Sequence, residues 1–184
     1  MTRQPEPFDT PNPLDTAIYL DTSIIVLHYG TSWGHPASRT KAALTRNFLE
    51  RCAREEVALV VSLWTLEELR HAIFHGIYRR LAHRTGSAQT PKHAYAQYPH
   101  ACQQVHQAIA QVEQALEAHP AVVVLDRPID RDILDRALGY VFQYHLEPAD
   151  ALHVTLSLAE GVSSFATTDR AWLNVPGVRV YSPG

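Results

Sequence analysis

The sequence has little sulfur: two cysteines and one methionine in 184 residues. Cys52 and Cys102 stand far apart, with no His/Cys cluster at zinc-binding spacing around them, which excludes a disulfide scaffold and a zinc finger. Both read as reduced, half-buried thiols. Long apolar runs are also missing. The longest uncharged run near the start, Thr22 to Ser38, is broken by His28, Gly30, Gly34 and Pro36. No basic segment precedes an apolar stretch, so neither a signal peptide nor a membrane span is expected, and the cytoplasm is the default location. A surplus of positive charge is absent too, the formal net charge being -3. As a single number this argues against a nucleic-acid binder, but the charge is unevenly spread. Basic residues outnumber acids between Arg39 and Lys92, and acids outnumber basic residues between Glu113 and Glu160. A basic patch beside an acidic site suits an enzyme that cuts phosphodiesters. Solvated helix faces account for the same pattern, and on charge alone that plainer reading is favoured.

What is present is a chain with 46% hydrophobic residues, enough for one globular domain with a proper core. Residues 1–16 carry four of the prolines and little apolar periodicity, and read as a flexible or surface-hugging tail. Residues 17–184 form the domain. Five short β-rich runs follow, at Ala17–Leu20, Val57–Val61, Ala121–Leu125, Ser164–Ala166 and Val178–Tyr181. Between them lie helical spacings: Ala43, Phe48, Leu49 and Cys52; Leu66, Leu69, Ile73 and Ile77; Ile109, Val112 and Leu116; Leu134, Leu138, Val141 and Phe142; Leu152, Leu156 and Ala159. Strands alternating with helices predict an α/β fold, a central parallel sheet of about five strands covered on both faces. Pro148 suits a first helical turn, and Gly161 a left-handed helix end. The stretch 76–119 exceeds a plain crossover and reads as a helical arm, two long helices around a polar loop at Thr85–Pro91. There is no internal repeat.

The acids fall where chemistry belongs in such a fold. Asp21 ends the apolar run Ala17–Leu20, Asp169 follows the strand that ends at Ala166, and Asp150 opens the helix after Pro148. Ligands of open parallel sheets bind at the carboxyl ends of strands, and hard divalent cations take oxygen ligands. The spacing permits one shared cation site. A fourth acid comes from the helix after Ser62, where Glu67 and Glu68 compete. One residue turns a helical side chain by about 100°, and the apolar face of Leu66, Leu69 and Ile73 does not decide between them.

At these residues the chain resembles the PIN-domain nucleases, including VapC-type toxin ribonucleases. Ile18-Tyr19-Leu20-Asp21-Thr22-Ser23 is similar to their opening strand, and Val61-Ser62-Leu63-Trp64-Thr65-Leu66-Glu67-Glu68-Leu69 to their second motif. Ala149-Asp150-Ala151-Leu152-His153-Val154 and Ala166-Thr167-Thr168-Asp169-Arg170 resemble their closing signature. The likeness spans nearly all of 17–181. It implies a PIN-like three-layer α/β/α fold with the helical arm as an insertion. It also implies that Asp21, Glu68, Asp150 and Asp169 gather around Mg²⁺ or Mn²⁺, with Thr167 and Ser23 as polar support. The family's motif spacing selects Glu68 over Glu67. The activity implied is metal-dependent hydrolysis of RNA, in the role of a toxin paired with a small antitoxin protein. A homodimer is the expected assembly, with no membrane association. The arm and the proline-rich start depart from the compact toxin pattern.

Competing readings remain at this point. Glu68-x-x-His71 and Asp150-x-x-His153 resemble the Glu-x-x-His pairs of di-iron carboxylate bundles, which would make the chain an oxygen-handling helical protein. That reading leaves the β-rich runs and Asp21 and Asp169 without a purpose, and helix-surface histidines explain His71, His75 and His153 more simply. The irregular spacing of His83, His93, His100 and His106 argues against metal storage or a pH sensor. Arg79, Arg80 and Arg84, with Tyr78, suit an RNA backbone and a stacked base, or equally a solvated face. Trp33, Trp64 and Trp172 read as core or rim aromatics. A PIN fold used without catalysis, as an RNA-binding or protein-interaction module, is the remaining alternative; such a module is expected to lack one or more of the acids, and all four positions are filled.

Overall fold

The computed structural model describes residues 3–30, 38–85, 97–98 and 100–184. Trp33, His93 and residues 86–91 of the expected polar loop lie outside the described residues. Six parallel strands form the sheet: β1 (Glu6–Pro7), β2 (Ala17–Leu20), β3 (Ala58–Ser62), β4 (Val122–Leu125), β5 (Ser164–Ala166) and β6 (Arg179–Ser182), in the order β1-β6-β5-β2-β3-β4. Helices α1 (Thr22–Tyr29), α2 (Arg39–Arg54), α3 (Leu63–Arg84), α4 (Ala101–Glu117), α5 (Arg131–Tyr144) and α6 (Pro148–Ala159) connect them, with a 3₁₀ turn at Arg170–Asn174.

Side chains of successive strand residues point to opposite faces, and this alternation builds two cores. Ile18, Leu20, Leu59 and Val61 enter the core under α1–α4, whereas Tyr19, Val60, Phe165 and Val180 enter the core under α5 and α6. The result is the expected α/β/α sandwich. From β2 the chain builds outward through β3 and β4, then returns to lay β5 against the other side of β2. The carboxyl ends of β2 and β5 therefore flank the point where strand order reverses, where a parallel sheet opens a crevice.

The proline-rich start, read as a flexible or surface-hugging tail, is built into the sheet. Glu6 and Pro7 pair with Tyr181 and Ser182 to add the sixth strand. Phe8 stacks on Phe48 with ring centroids 4.0 Å apart, and Arg179 is gripped by Glu6 at 2.7 and 2.8 Å and by Asp15 at 3.0 Å. The described part of the arm consists of two helices packed on the larger core. Helices α3 and α4 run antiparallel, Arg70 meeting Glu113 and Tyr78 meeting Cys102, and Ile77, Tyr78, Ala101 and Val105 are buried in the larger core. Helix α1 gave no periodic signal because Ile24, Ile25 and Val26 are all buried, so no polar stripe marks a solvent face. Cys52 is buried in this core, which pushes its thiol up to about 12; Cys102 is half-buried, and both are free.

Because Phe8 is core rather than tail, Phe8→Ala is expected to destabilise the protein by about 3 kcal/mol. Urea unfolding checks this, and a change below about 0.5 kcal/mol, the range of ordinary surface substitutions, would return the segment to a loosely attached tail.

Candidate functional site

Asp21 follows β2 directly and occupies the N-cap of α1, yet its carboxylate does not cap that helix. Its Oδ2 instead accepts hydrogen bonds from Ser23 Oγ at 2.5 Å and Thr167 Oγ1 at 2.7 Å. Thr167 Oγ1 also accepts from the Asp169 backbone N–H at 3.0 Å, and Ser23 Oγ from the Thr168 N–H at 3.2 Å. The two hydroxyls thus lock the end of β5 onto the end of β2. Asp169 caps the 3₁₀ turn, its Oδ1 accepting from the Ala171 N–H at 2.8 Å.

Glu68 reaches the same edge from α3, whose start is fixed by a reciprocal cap between Ser62 and Thr65. Glu68 Oε2 accepts from Thr22 Oγ1 at 2.9 Å and meets His153 Nε2 at 2.7 Å. Glu67 turns outward, 65% exposed, and pairs with Arg70. Asp150 stands in the first turn of α6, behind Pro148 at the helix start. Burial, reinforced by the charges of Asp169 and Asp21, pushes its carboxyl up to about 7. Glu68 moves the other way. Burial raises it most strongly, but hydrogen bonding and charge from His153, with help from the Thr22 hydroxyl, bring it below the usual carboxylate range.

Ligand atoms of Asp21, Glu68 and His153 lie within 4.8 Å of one another. Asp150 and Asp169 stand outside that triangle, although Asp150 feels the charge of both Asp21 and Asp169. Among the described residues none of the four acids forms an ion pair with Lys or Arg. Crowded carboxylates without a Lys or Arg partner are a donor set of hard oxygens suited to a divalent cation. The indole N–H groups of Trp172 and Trp64 are buried without a well-formed hydrogen bond, facing Asp150 and Glu68 respectively. Arg79, Arg80 and Arg84 are exposed on the far part of α3, about 17–24 Å along the helix from Glu68 at 1.5 Å per residue. They cannot touch a phosphate held at the acids.

The PIN domain family profile matches residues 18–178. The chain belongs to the PIN domain family. Among solved structures, VapBC2 from Rickettsia felis bound to a DNA fragment from its promoter is similar in fold at 14% identity. The match covers 90% of this chain and 98% of that one with a TM-score of 0.55. FitAcB from Neisseria gonorrhoeae matches at 16% identity over 90% and 97% of the two chains, with a TM-score of 0.44. No curated protein sequence matches the chain. A parallel-sheet PIN fold also removes the di-iron bundle reading.

Sequence reasoning missed His153 and Tyr19. His153, read as a helix-surface histidine, is 1% exposed, held between Glu68 and the Tyr19 hydroxyl. A signal was available: α6 is apolar around nearly its whole circumference, Ala151 to Ser157 all being buried, and a polar ring in such a helix must find partners.

The shift of Asp150 sets the sign of a pH effect. Its carboxyl is protonated up to about pH 7 in the metal-free folded protein, against 3.8 for the free group, so the folded state holds the extra proton. Stability from this group therefore falls as pH rises from about 4 to about 7. Metal-free protein is expected to lose thermal stability relative to Asp150→Asn across that window, the variant melting at an equal or higher temperature at neutral pH. A difference that stays flat with pH, or a variant that melts earlier, would contradict the crowding.

Proposed function

We propose that this chain is a metal-dependent ribonuclease that hydrolyses RNA phosphodiester bonds, acting as the toxin of a toxin–antitoxin pair. The observation that carries the reading is the cluster of acids at the reversal point of the sheet, Asp21 buried, Glu68 and Asp150 half-buried and Asp169 exposed, with no Lys or Arg among the described residues paired to them. A fold alone does not assign an activity, but this donor set gives the PIN fold a site where a phosphodiester can react.

Asp21, Glu68, Asp150 and Asp169 would hold Mg²⁺ or Mn²⁺. The ion, when bound, supplies Lewis-acid charge to the scissile phosphate and to the attacking water. Ser23 and Thr167 keep the Asp21 carboxylate turned toward the crevice, and Thr22 does the same for Glu68. Asp150 would give up its proton to join the acids that hold a cation, which would couple cation binding to pH. Beside Glu68 a cavity of about 490 Å³, lined by Thr22, Trp64, Glu67, Glu68, His71 and Ala72, offers room and an aromatic wall for a nucleotide next to the cleaved bond. The exposed Arg79, Arg80 and Arg84 would hold the RNA backbone farther along α3.

The resemblance to VapC-type toxins implies a small antitoxin partner, and we extend one to this protein. For a homodimer, α5 offers an apolar stripe: Leu134, Leu138 and Phe142 recur at helical spacing and are 49%, 53% and 74% exposed. No helix among the described residues is long and apolar enough to cross a membrane.

RNA cleavage is expected only with Mg²⁺ or Mn²⁺ and should stop in EDTA. Asp150→Asn should lower the rate by about 100- to 1,000-fold, as for loss of one charge-stabilising group, and shrink the rise in melting temperature that Mn²⁺ gives. The exposed Glu117→Gln is the control and should change neither. Undiminished cleavage in EDTA would remove the cation from the account.

Changing Arg79, Arg80 and Arg84 together to Ala should flatten the salt dependence of RNA binding, by about 0.7 in log–log slope for each phosphate that is no longer neutralised. Filter binding at several salt concentrations measures it, and an unchanged slope would make these residues an ordinary solvated face.

A further inference from the structure

Beneath the acids lies a buried polar chain that the proposed chemistry leaves unused. The Tyr19 hydroxyl touches three groups at once: Ser62 Oγ at 2.6 Å, Thr65 Oγ1 at 2.9 Å and His153 Nδ1 at 2.8 Å. All four side chains are buried. The opposite ring nitrogen of His153 meets Glu68 Oε2 at 2.7 Å, and the imidazole is inclined 28° to the indole of Trp172, ring centroids 5.9 Å apart. His153 could serve the site in two ways, as a third ligand beside Asp21 and Glu68, or as the group that fixes Glu68.

The proton count separates them. A carboxylate oxygen only accepts, so the Nε2 facing Glu68 must carry a hydrogen. With the Nδ1–H tautomer, two lone pairs would be opposed at 2.7 Å. Nδ1 is occupied by the Tyr19 hydroxyl, whose oxygen is in turn supplied by Ser62 and Thr65, so both ring nitrogens are engaged and neither presents a free lone pair to a cation. Glu68 Oε2 already accepts from Thr22 and His153, which leaves Oε1 for the crevice.

We propose that Tyr19 and His153 form a buried positioning relay for Glu68, and that His153 is not itself a ligand. The relay starts at the cap of α3, passes through the middle of β2 and ends on α6, so the three elements that carry Asp21, Glu68 and Asp150 are tied together below the site. It rests on the metal-site reading above. His153 is a positioning residue, and removing it should change cation affinity more than a packing defect would.

The test is Mn²⁺ affinity, read from the EPR signal of the free ion, joined to ¹H–¹⁵N NMR of the imidazoles with and without Mg²⁺. His153→Ala should weaken Mn²⁺ binding by about 10- to 100-fold, the effect of losing an outer hydrogen-bond partner, while His153→Gln, whose amide N–H replaces the donor, should stay within about threefold of the unaltered protein. If His153→Ala does not fold, Tyr19→Phe removes only the hydroxyl and should still weaken binding measurably. The His153 Nε2–H signal, assigned by its loss in His153→Gln, should persist when Mg²⁺ saturates the site. Disappearance of that signal on adding Mg²⁺ would make His153 a ligand and overturn the proposal. Unchanged affinity in Tyr19→Phe and in any folded His153 variant would overturn it as well, leaving the network a packing feature. An unaltered protein that binds no Mn²⁺ would remove the metal-site reading first, and the relay with it.

Discussion

Repulsion among carboxylates at the carboxyl ends of β2 and β5 is the constraint around which the rest of the structure is arranged. Asp21 is buried, Glu68 and Asp150 are half-buried and Asp169 is exposed, Asp150 feels the charge of Asp21 and Asp169, and no Lys or Arg among the described residues pairs with any of them. The folded chain tolerates this by unequal means. Glu68 is kept ionised by His153 and Thr22, Asp21 is held by two hydroxyls, and Asp150 keeps its proton to about pH 7. Such crowding opposes folding, and the remaining structure has to supply the difference.

It does so through the two-faced core and its edges. Helix α6 is buried along most of its length, which fixes its rotation, and residues three apart share a helix face. Asp150 and His153 are such a pair, so the packing that seats one seats the other. At the far edge the N-terminal segment adds a strand to β6, and Arg179, over the Tyr181 ring at 5.0 Å, binds Glu6 and Asp15. Their carboxyls consequently sit below the usual range, Glu6 mainly through the Arg179 hydrogen bond and Asp15 through Ser164, Tyr181 and Arg179 against the opposing effect of burial. The acids at this edge are thus paired with an arginine, whereas among the described residues those in the crevice have no Lys or Arg partner.

How much of this can be read in the sequence depends on whether a residue's neighbours in the chain are also its neighbours in space. Alternating β-rich and helical segments convey the parallel sheet, and Asp21 and Asp169 stand out because each follows a strand. Pro148 and Gly161 mark α6 through backbone rules, Gly161 adopting the left-handed φ of 76°. Periodicity is silent where a helix is buried on all sides, which hides α1 and disguises His153 as a surface residue. The choice between Glu67 and Glu68 needs the rotation of α3 about its axis, set by Ser62, Thr65 and contacts with β2 and α6 from distant parts of the chain. The first strand is equally hidden: two residues among prolines carry no β pattern, and only the edge of β6 makes them a strand.

We propose that these acids form one divalent-cation site. Anomalous diffraction at the manganese edge, from crystals grown with Mn²⁺, tests it most directly. The account requires a strong peak in the crevice between Asp21 and Glu68, with Asp150 and Asp169 on the same rim. A crevice without a peak, or a peak held by residues elsewhere on the chain, would contradict it.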